Sequence, residues 1–105
     1  MLVPRKYPRV AVRFPISFTG DRDGEGMVSN LSLGGCHVES ETEVDRKDYL
    51  TFRVYHSFHE PPIKIDVAVV RWSRGTDFGV EFISLLSEEQ DRLKQVLKSL
   101  GYSYE

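Results

Sequence analysis

The chain has 105 residues, 40% hydrophobic and 29% charged, with a formal net charge of -2. That suits one globular domain with a modest core, and the near-neutral balance excludes a general electrostatic attraction to DNA or acidic membrane. A single cysteine, Cys36, excludes an intramolecular disulfide, no run of about 18 apolar residues is present to span a bilayer, and the N-terminus lacks an apolar signal-peptide core, so a cytoplasmic protein is expected.

The charge is uneven. The first 13 residues hold Arg5, Lys6, Arg9 and Arg13 and no acid. A local basic arm on a near-neutral body suggests a compact anionic ligand rather than a long polyanion. Residues 1–9 carry Pro4 and Pro8 without periodicity and read as a flexible arm. Residues 10–105 read as the folded body.

Val10 to Phe18 alternates strictly, with Val10, Val12, Phe14, Ile16 and Phe18 on the buried face. Pro15 has no N–H for a ladder and marks an edge or a bulge. Thr19 to Gly26 is an acidic, Gly-rich turn. Met27–Asn30 and Cys36–Ser40 are short strands, and Cys36 alternates with Val38 as a small core residue. Glu41 to Asp48 is a polar loop with room for one helical turn. Tyr49 to Tyr55 puts Leu50, Phe52 and Val54 inward. His56 to Pro62 is a loop. Ile63 to Trp72 is a long strand with Ile63, Ile65, Val67 and Val69 on one face and Ala68, Val70 and Trp72 on the other. Ser73 to Thr76 is hairpin chemistry, and Asp77 to Ile83 places Phe78, Val80 and Phe82 inward.

A helix closes the chain over about residues 87–100. Ser87 with Gln90 reads as a capping box. Glu88, Glu89 and Asp91 suit the positive end of the helix dipole, and Lys94 and Lys98 lie toward the other end. Leu93, Val96, Leu97 and Leu100 form one apolar stripe that serves core packing, and Gly101 suits the position after the helix. Six short strands and one helix give a mainly all-β fold: a six-stranded antiparallel, Greek-key-like β-barrel with one C-terminal α-helix.

The chemistry concentrates in two stretches. Arg5 and Arg9 stand four apart on a proline-stiffened arm, and an arginine fork matches both the O6/N7 edge of guanine and phosphate oxygens. Asn30-Leu31-Ser32-Leu33-Gly34-Gly35 offers a carbonyl and a hydroxyl two positions apart, then two glycines that permit close approach. Together they ask for a flat, anionic ligand rich in purine edges. On its own the second stretch is an ordinary polar turn.

Arg5-x-x-x-Arg9 followed by Asn30-x-Ser32-x-x-Gly35 resembles the paired R-x-x-x-R and [D/N]-x-S-x-x-G motifs of PilZ domains. Val10-Ala11-Val12-Arg13-Phe14-Pro15 is similar to the first strand of that family. Phe78-Gly79-Val80-Glu81-Phe82 and Ser87-Glu88-Glu89-Gln90 resemble its C-terminal end. The resemblance implies a barrel that binds cyclic di-GMP, a bacterial second messenger, as a receptor without catalytic activity and without a metal or other cofactor. It implies that Arg5 and Arg9 take guanine and phosphate, that Asn30 and Ser32 take the guanine edge, and that Gly35 allows close approach.

Arg13, Gly34 and Trp72 are secondary candidates. Arg9 and Arg13 form a second R-x-x-x-R, but Arg13 lies within the alternating strand, so Arg5 with Arg9 is the preferred register. Trp72 either stacks on a guanine or packs beneath the C-terminal helix. Pro4 stands where many family members carry another basic residue, which favours one ligand per domain. The implied mechanism is an arm that closes over the ligand and changes the surface shown to a partner protein, with a monomer favoured.

Other readings are weaker. His56, His59 and Glu60 have the composition of a metal cluster, yet loop histidines at this spacing are usually solvated. Ser32 lacks a G-x-S-x-G setting, which argues against a hydrolase. The alternative function is a protein-interaction barrel with a vestigial site, or a small barrel binding single-stranded RNA. RNA binding would need more basic surface and more aromatics than Tyr7 and Trp72 supply.

Overall fold

The structure is a computed structural model and describes residues 9–101. The expected arm therefore lies, except for Arg9, outside the described residues. Six strands form: β1 (Val10–Gly20), β2 (Gly24–Leu31), β3 (Gly35–Glu39), β4 (Tyr49–Val54), β5 (Ile63–Arg74) and β6 (Asp77–Ser84); pairing carries β1, β2 and β5 into the expected turns, which shrink to residues 21–23 and 75–76. One helix follows, α1 (Ser87–Ser99). Every strand pairing is antiparallel, and the ring closes in the order β1-β2-β3-β6-β5-β4.

Closure satisfies both edges of every strand, so the inner face must be apolar throughout. Ile16, Phe18, Val28, Leu31, Cys36, Val38, Phe52, Ile65 and Phe78 are all buried in one core. Phe18 anchors it, with its ring centroid 5.8 Å from Phe52 and 5.7 Å from Phe78. The link from β3 to β4, residues 40–48, crosses to strands on the far side of the ring. It contains no helical turn, and Val44 drops from it into the core.

The long strand departs from simple alternation. Ile63 and Ile65 point inward, and so do Ala68 and Val70; Val67 is half-buried, and Val69, although buried, lies outside the main core cluster. The cause is a bulge: Leu50 pairs with Ala68 and Phe52 with Ile65, so Asp66 and Val67 oppose Thr51 alone. Thr51 Oγ1 donates to the Asp66 carbonyl at 2.9 Å and pins the irregularity. A second bulge lies between Val70 and Trp72, where Arg71 is the extra residue against Val80 and Gly79. It turns Trp72 outward again.

The helix adds Leu93 and Leu97 to the core, with Val96 packed against it, so it covers an opening rather than lying on the outer wall. Leu100 is 44% exposed and ends outside the stripe. The capping box does not form. Leu86 is the N-cap, no side chain caps the helix, and Ser87 is already the first helical residue. The Arg92 guanidinium fastens the helix by donating to the Pro62 carbonyl at 3.1 Å and to the Pro61 carbonyl, while Glu89 of the same helix accepts from it at 2.8 Å. Gly101 has φ +93° and donates to the Lys98 carbonyl, as expected after a helix end. Among the described residues no helix is long and apolar enough to cross a membrane.

Arg92 concentrates the attachment of the helix in one side chain. Arg92→Ala should lower unfolding stability by about 2 kcal/mol, the scale of charge-assisted bonds lost together. Chemical denaturation measures this, and an unchanged midpoint would show that Leu93 and Leu97 hold the helix alone.

Candidate functional site

The polar stretch at Asn30 sits on a third bulge. Val28 pairs with Val38 and Asn30 with His37, so Ser29 is extra on β2. Without it Asn30 would share the inward face of Val28. With it, Val28 and Leu31 both point into the core and Asn30 points out. Bulges that re-aim one side chain recur beside functional sites.

Ser32 has a different fate. Only 4% exposed, it begins the turn from β2 to β3. Its hydroxyl accepts from the N–H groups of Gly34 and Gly35 and donates to the Gly35 carbonyl, each at 3.1 Å. Its own N–H donates to the Gly35 carbonyl at 3.0 Å. One hydrogen and two lone pairs are thus all in use. Gly34 locks the turn to the barrel, its carbonyl accepting from Phe82 N–H at 2.8 Å. At Gly35 a Cβ would collide with the Val80 carbonyl oxygen. The close approach that Gly35 allows in this structure is that of β6.

Strand pairing carries Asn30 into a row across the outer wall. Ala11 on β1 pairs with Asn30 on β2, Asn30 with His37 on β3, His37 with Gly79 on β6, and Gly79 with Trp72 on β5. From Asn30 to Trp72 is three strand spacings, roughly 14 Å. Small residues stand at two of the five places. Over Gly79 the space of a missing side chain is filled by the Trp72 indole, which a Cβ would strike at Nε1 and Cε2. The His37 ring meets Trp72 edge-on, with centroids 5.2 Å apart and planes at 69°. Trp72 remains 40% exposed. It packs on β6 and His37, whereas the helix is fastened at the opposite end of β5, where Lys64 N–H donates to Glu89. Packing beneath the helix is thereby replaced by packing on the row.

Of the remaining candidates, Arg9 immediately precedes β1 and is half-buried. Its positive charge reaches the buried Cys36 thiol, opposing the upward push that burial gives that group. Since Leu31 pairs with both Val10 and Cys36, Arg9 stands at the Asn30 end of the row. Arg13 is exposed on β1 within a bulge between Ala11 and Phe14. Arg5 lies outside the described residues. The structure therefore gathers Arg9, Asn30, Ser32, Gly34 and Gly35 at one end and places Trp72 at the other. His37, which joins the ends, carries no sequence signal of its own beyond its alternation with Cys36 and Val38.

Farther along the same strands lies a groove of about 860 Å³, lined among others by Pro15, Met27, Glu25, Glu39 and Glu41. Three carboxylates make it unsuited to phosphate. Near the helix, His56 is 3.5 Å from Arg92. Burial holds its titration below the usual histidine value, and Arg92 adds to this against the opposing charge of Glu60. Among the described residues no group of three His, Cys, Asp or Glu side chains is placed to hold a metal ion.

Comparison with solved structures gives the same barrel. The Bacillus subtilis inhibitor of motility MotI/DgrA aligns with TM-score 0.75 and 17% identity over 99% of this chain and 55% of its own. Escherichia coli YcgR, solved in complex with c-di-GMP, aligns with TM-score 0.72 and 19% identity over 92% of this chain and 46% of its own. The PilZ domain of CeSA from a cellulose-synthesizing bacterium aligns with TM-score 0.69 and 11% identity over 90% and 99%. The chain thus spans about half the length of MotI and YcgR, and nearly all of the isolated CeSA domain. Among curated proteins, none matches by sequence. The family model of the PilZ domain matches residues 4–99, nearly the whole length, and the chain belongs to that family.

Proposed function

We propose that this PilZ domain is a receptor for cyclic di-GMP and acts by binding, not by catalysis. One observation carries the reading furthest. The bulge at Ser29 turns Asn30 out of the core, beside Arg9 and in line with an exposed tryptophan. Family membership supports the same ligand class, as does the bound c-di-GMP of YcgR. In this reading Asn30 takes a guanine edge, Trp72 offers its face to a purine, and Arg9 and Arg5 take phosphate and guanine. Four residues of extended chain span at most about 14 Å, enough for Arg5 to lie along the row.

Ser32 supports rather than contacts the ligand, because its hydroxyl is consumed in the turn. The arm closes when ligand charge draws Arg5 onto the barrel beside Arg9, and the closed arm is the surface that a partner protein reads. Ligand shifts the arm only by binding its closed state more tightly. A cytoplasmic setting, where a diffusible messenger would be met, belongs to the same proposal.

Calorimetric titration with cyclic di-GMP, alongside GTP and cyclic GMP, tests the reading. Selective binding of cyclic di-GMP is expected, and no binding at tens of micromolar would sink it. Arg9→Ala should cost about 1.5–3 kcal/mol, roughly tenfold to over a hundredfold in affinity. Asn30→Ala should weaken binding with little change in stability. Ser32→Ala should do the reverse first: two N–H groups lose their acceptor, and stability falls by about 1–3 kcal/mol.

Trp72 is the only tryptophan, so its fluorescence reports the platform directly. Gly79→Ala drives a methyl into the indole and should shift the emission of the free protein. Loss of base stacking should then weaken binding by about 1–3 kcal/mol. An emission change with unchanged affinity would remove Trp72 from the site.

A further inference from the structure

Among the described residues, His37 touches the indole of Trp72 with its ring and stands in strand register with Asn30. Its Nε2 lies 3.2 Å from Asp77 Oδ1. A carboxylate only accepts, so Nε2 carries the hydrogen and the neutral ring has its Nδ1 lone pair left over. Among the described residues nothing else bonds this ring. The His37 side chain is 26% exposed and that of Asp77 42%, so a ligand on the row can reach the ring.

We propose that His37 is a ligand-binding residue that takes up a proton when the ligand binds, making affinity for cyclic di-GMP rise as pH falls. This rests on the cyclic di-GMP reading of the site. A ligand lying from Asn30 to Trp72 presents acceptors above His37: phosphate oxygens and the O6/N7 edge of guanine. A neutral ring with Nε2–H on Asp77 meets them with a lone pair. A second proton turns Nδ1 into a donor and gives the ring a positive charge opposite an anion. Asp77 remains bonded and stabilises that cation from the other side, so the ring bridges carboxylate and ligand.

The charges around His37 are compatible with this. Glu39 lies two residues along β3 and faces outward, opposite Asp77 on β6. Arg74 on β5 pairs in register with Asp77. Glu81 is two residues beyond Gly79 and is held by Arg71 at 2.7 Å. Arg9 is the cation at the β1 end. Acids and arginines thus both flank the ring, and the ligand would complete its surroundings. The other two histidines belong elsewhere: His56 contacts Arg92 at the helix, and His59 is exposed in the loop before β5.

The test is calorimetry of the full chain with cyclic di-GMP from about pH 8 to about pH 5.5, the range in which histidine side chains titrate. Each pH is run in two buffers of different ionisation enthalpy, which counts protons taken up. The expected result is affinity rising roughly tenfold toward low pH, the change that uptake of one proton gives over about one decade of acidity, with net proton uptake. His37→Gln should bind with a flat pH profile and no uptake, whereas His59→Gln should keep both. Asp77→Asn, which retains a hydrogen-bond acceptor without charge, should move the tightening to lower pH. A flat profile in the wild type, tightening toward high pH, or proton uptake surviving in His37→Gln would overturn the proposal. Absence of binding at every pH would instead bring down the receptor reading on which it rests.

Discussion

A closed β-barrel leaves no freedom in which way a side chain points. Each strand is paired on both sides, and alternation fixes inner and outer faces along its whole length. An extra residue is the one local device that changes the assignment, and this chain uses it where the surface matters. Ser29 sends Asn30 outward while keeping Val28 and Leu31 in the core. Arg71 sends Trp72 outward after Val70. Remove either insertion and a large outward side chain exchanges places with a core residue. The core therefore enforces the row: burial of Val28, Leu31 and Val70 is worth roughly 1.5–3 kcal/mol per side chain, which holds each bulge in place.

The turn between β2 and β3 shows a second division of labour. Its motif looks like a set of ligand contacts, but the hydrogen-bond inventory divides it. Ser32 is buried and fully satisfied within the turn, Gly34 ties the turn to Phe82, and Gly35 makes room for Val80. Asn30 alone projects from it. Such a motif is as restrictive as a contact set because replacing any of these residues disturbs the direction of Asn30 and the depth of the floor beneath it. Rigidity of this kind lowers the ordering cost of binding.

Strand existence, core identity and the helix were legible from periodicity because these depend on burial, which pattern encodes. Ile16, Phe18, Phe52 and Phe78 needed nothing more. The two-part motif marked one end of the row through residue types and spacing. The rest depended on bulges, which leave little trace in a single sequence. Alternation puts Val67 and Val69 on the face of Ile65, and nothing in Asp66-Val67 announces the insertion that shifts them. The capping box does not form because the N-cap place falls on Leu86, whose side chain has no oxygen to accept a first-turn N–H, and Ser87 lies one position inside the helix. Trp72 could be placed on the outer face but not against His37, since their meeting depends on β3, β6 and β5 lying side by side and on the absent side chain of Gly79.

Charge distribution explains why a barrel of this shape would need an arm at all. The outer wall supplies flatness at Trp72, an amide at Asn30 and an imidazole at His37, but its nearest exposed acids are Glu39, Asp77 and Glu81. Of the neighbouring cations, Arg71 is committed to Glu81. Against a dianion those carboxylates are repulsive, and Arg74, the other arginine of β5 there, stands in register with Asp77. In the proposed reading the wall would give shape, and the arginines at its rim and before it would give charge. A charge fixed permanently among those carboxylates would pair with them and be unavailable. In the proposed reading the ligand's phosphates would compete with those carboxylates for arginines carried on the segment before β1, and that competition would make the arm's position depend on whether the ligand is there.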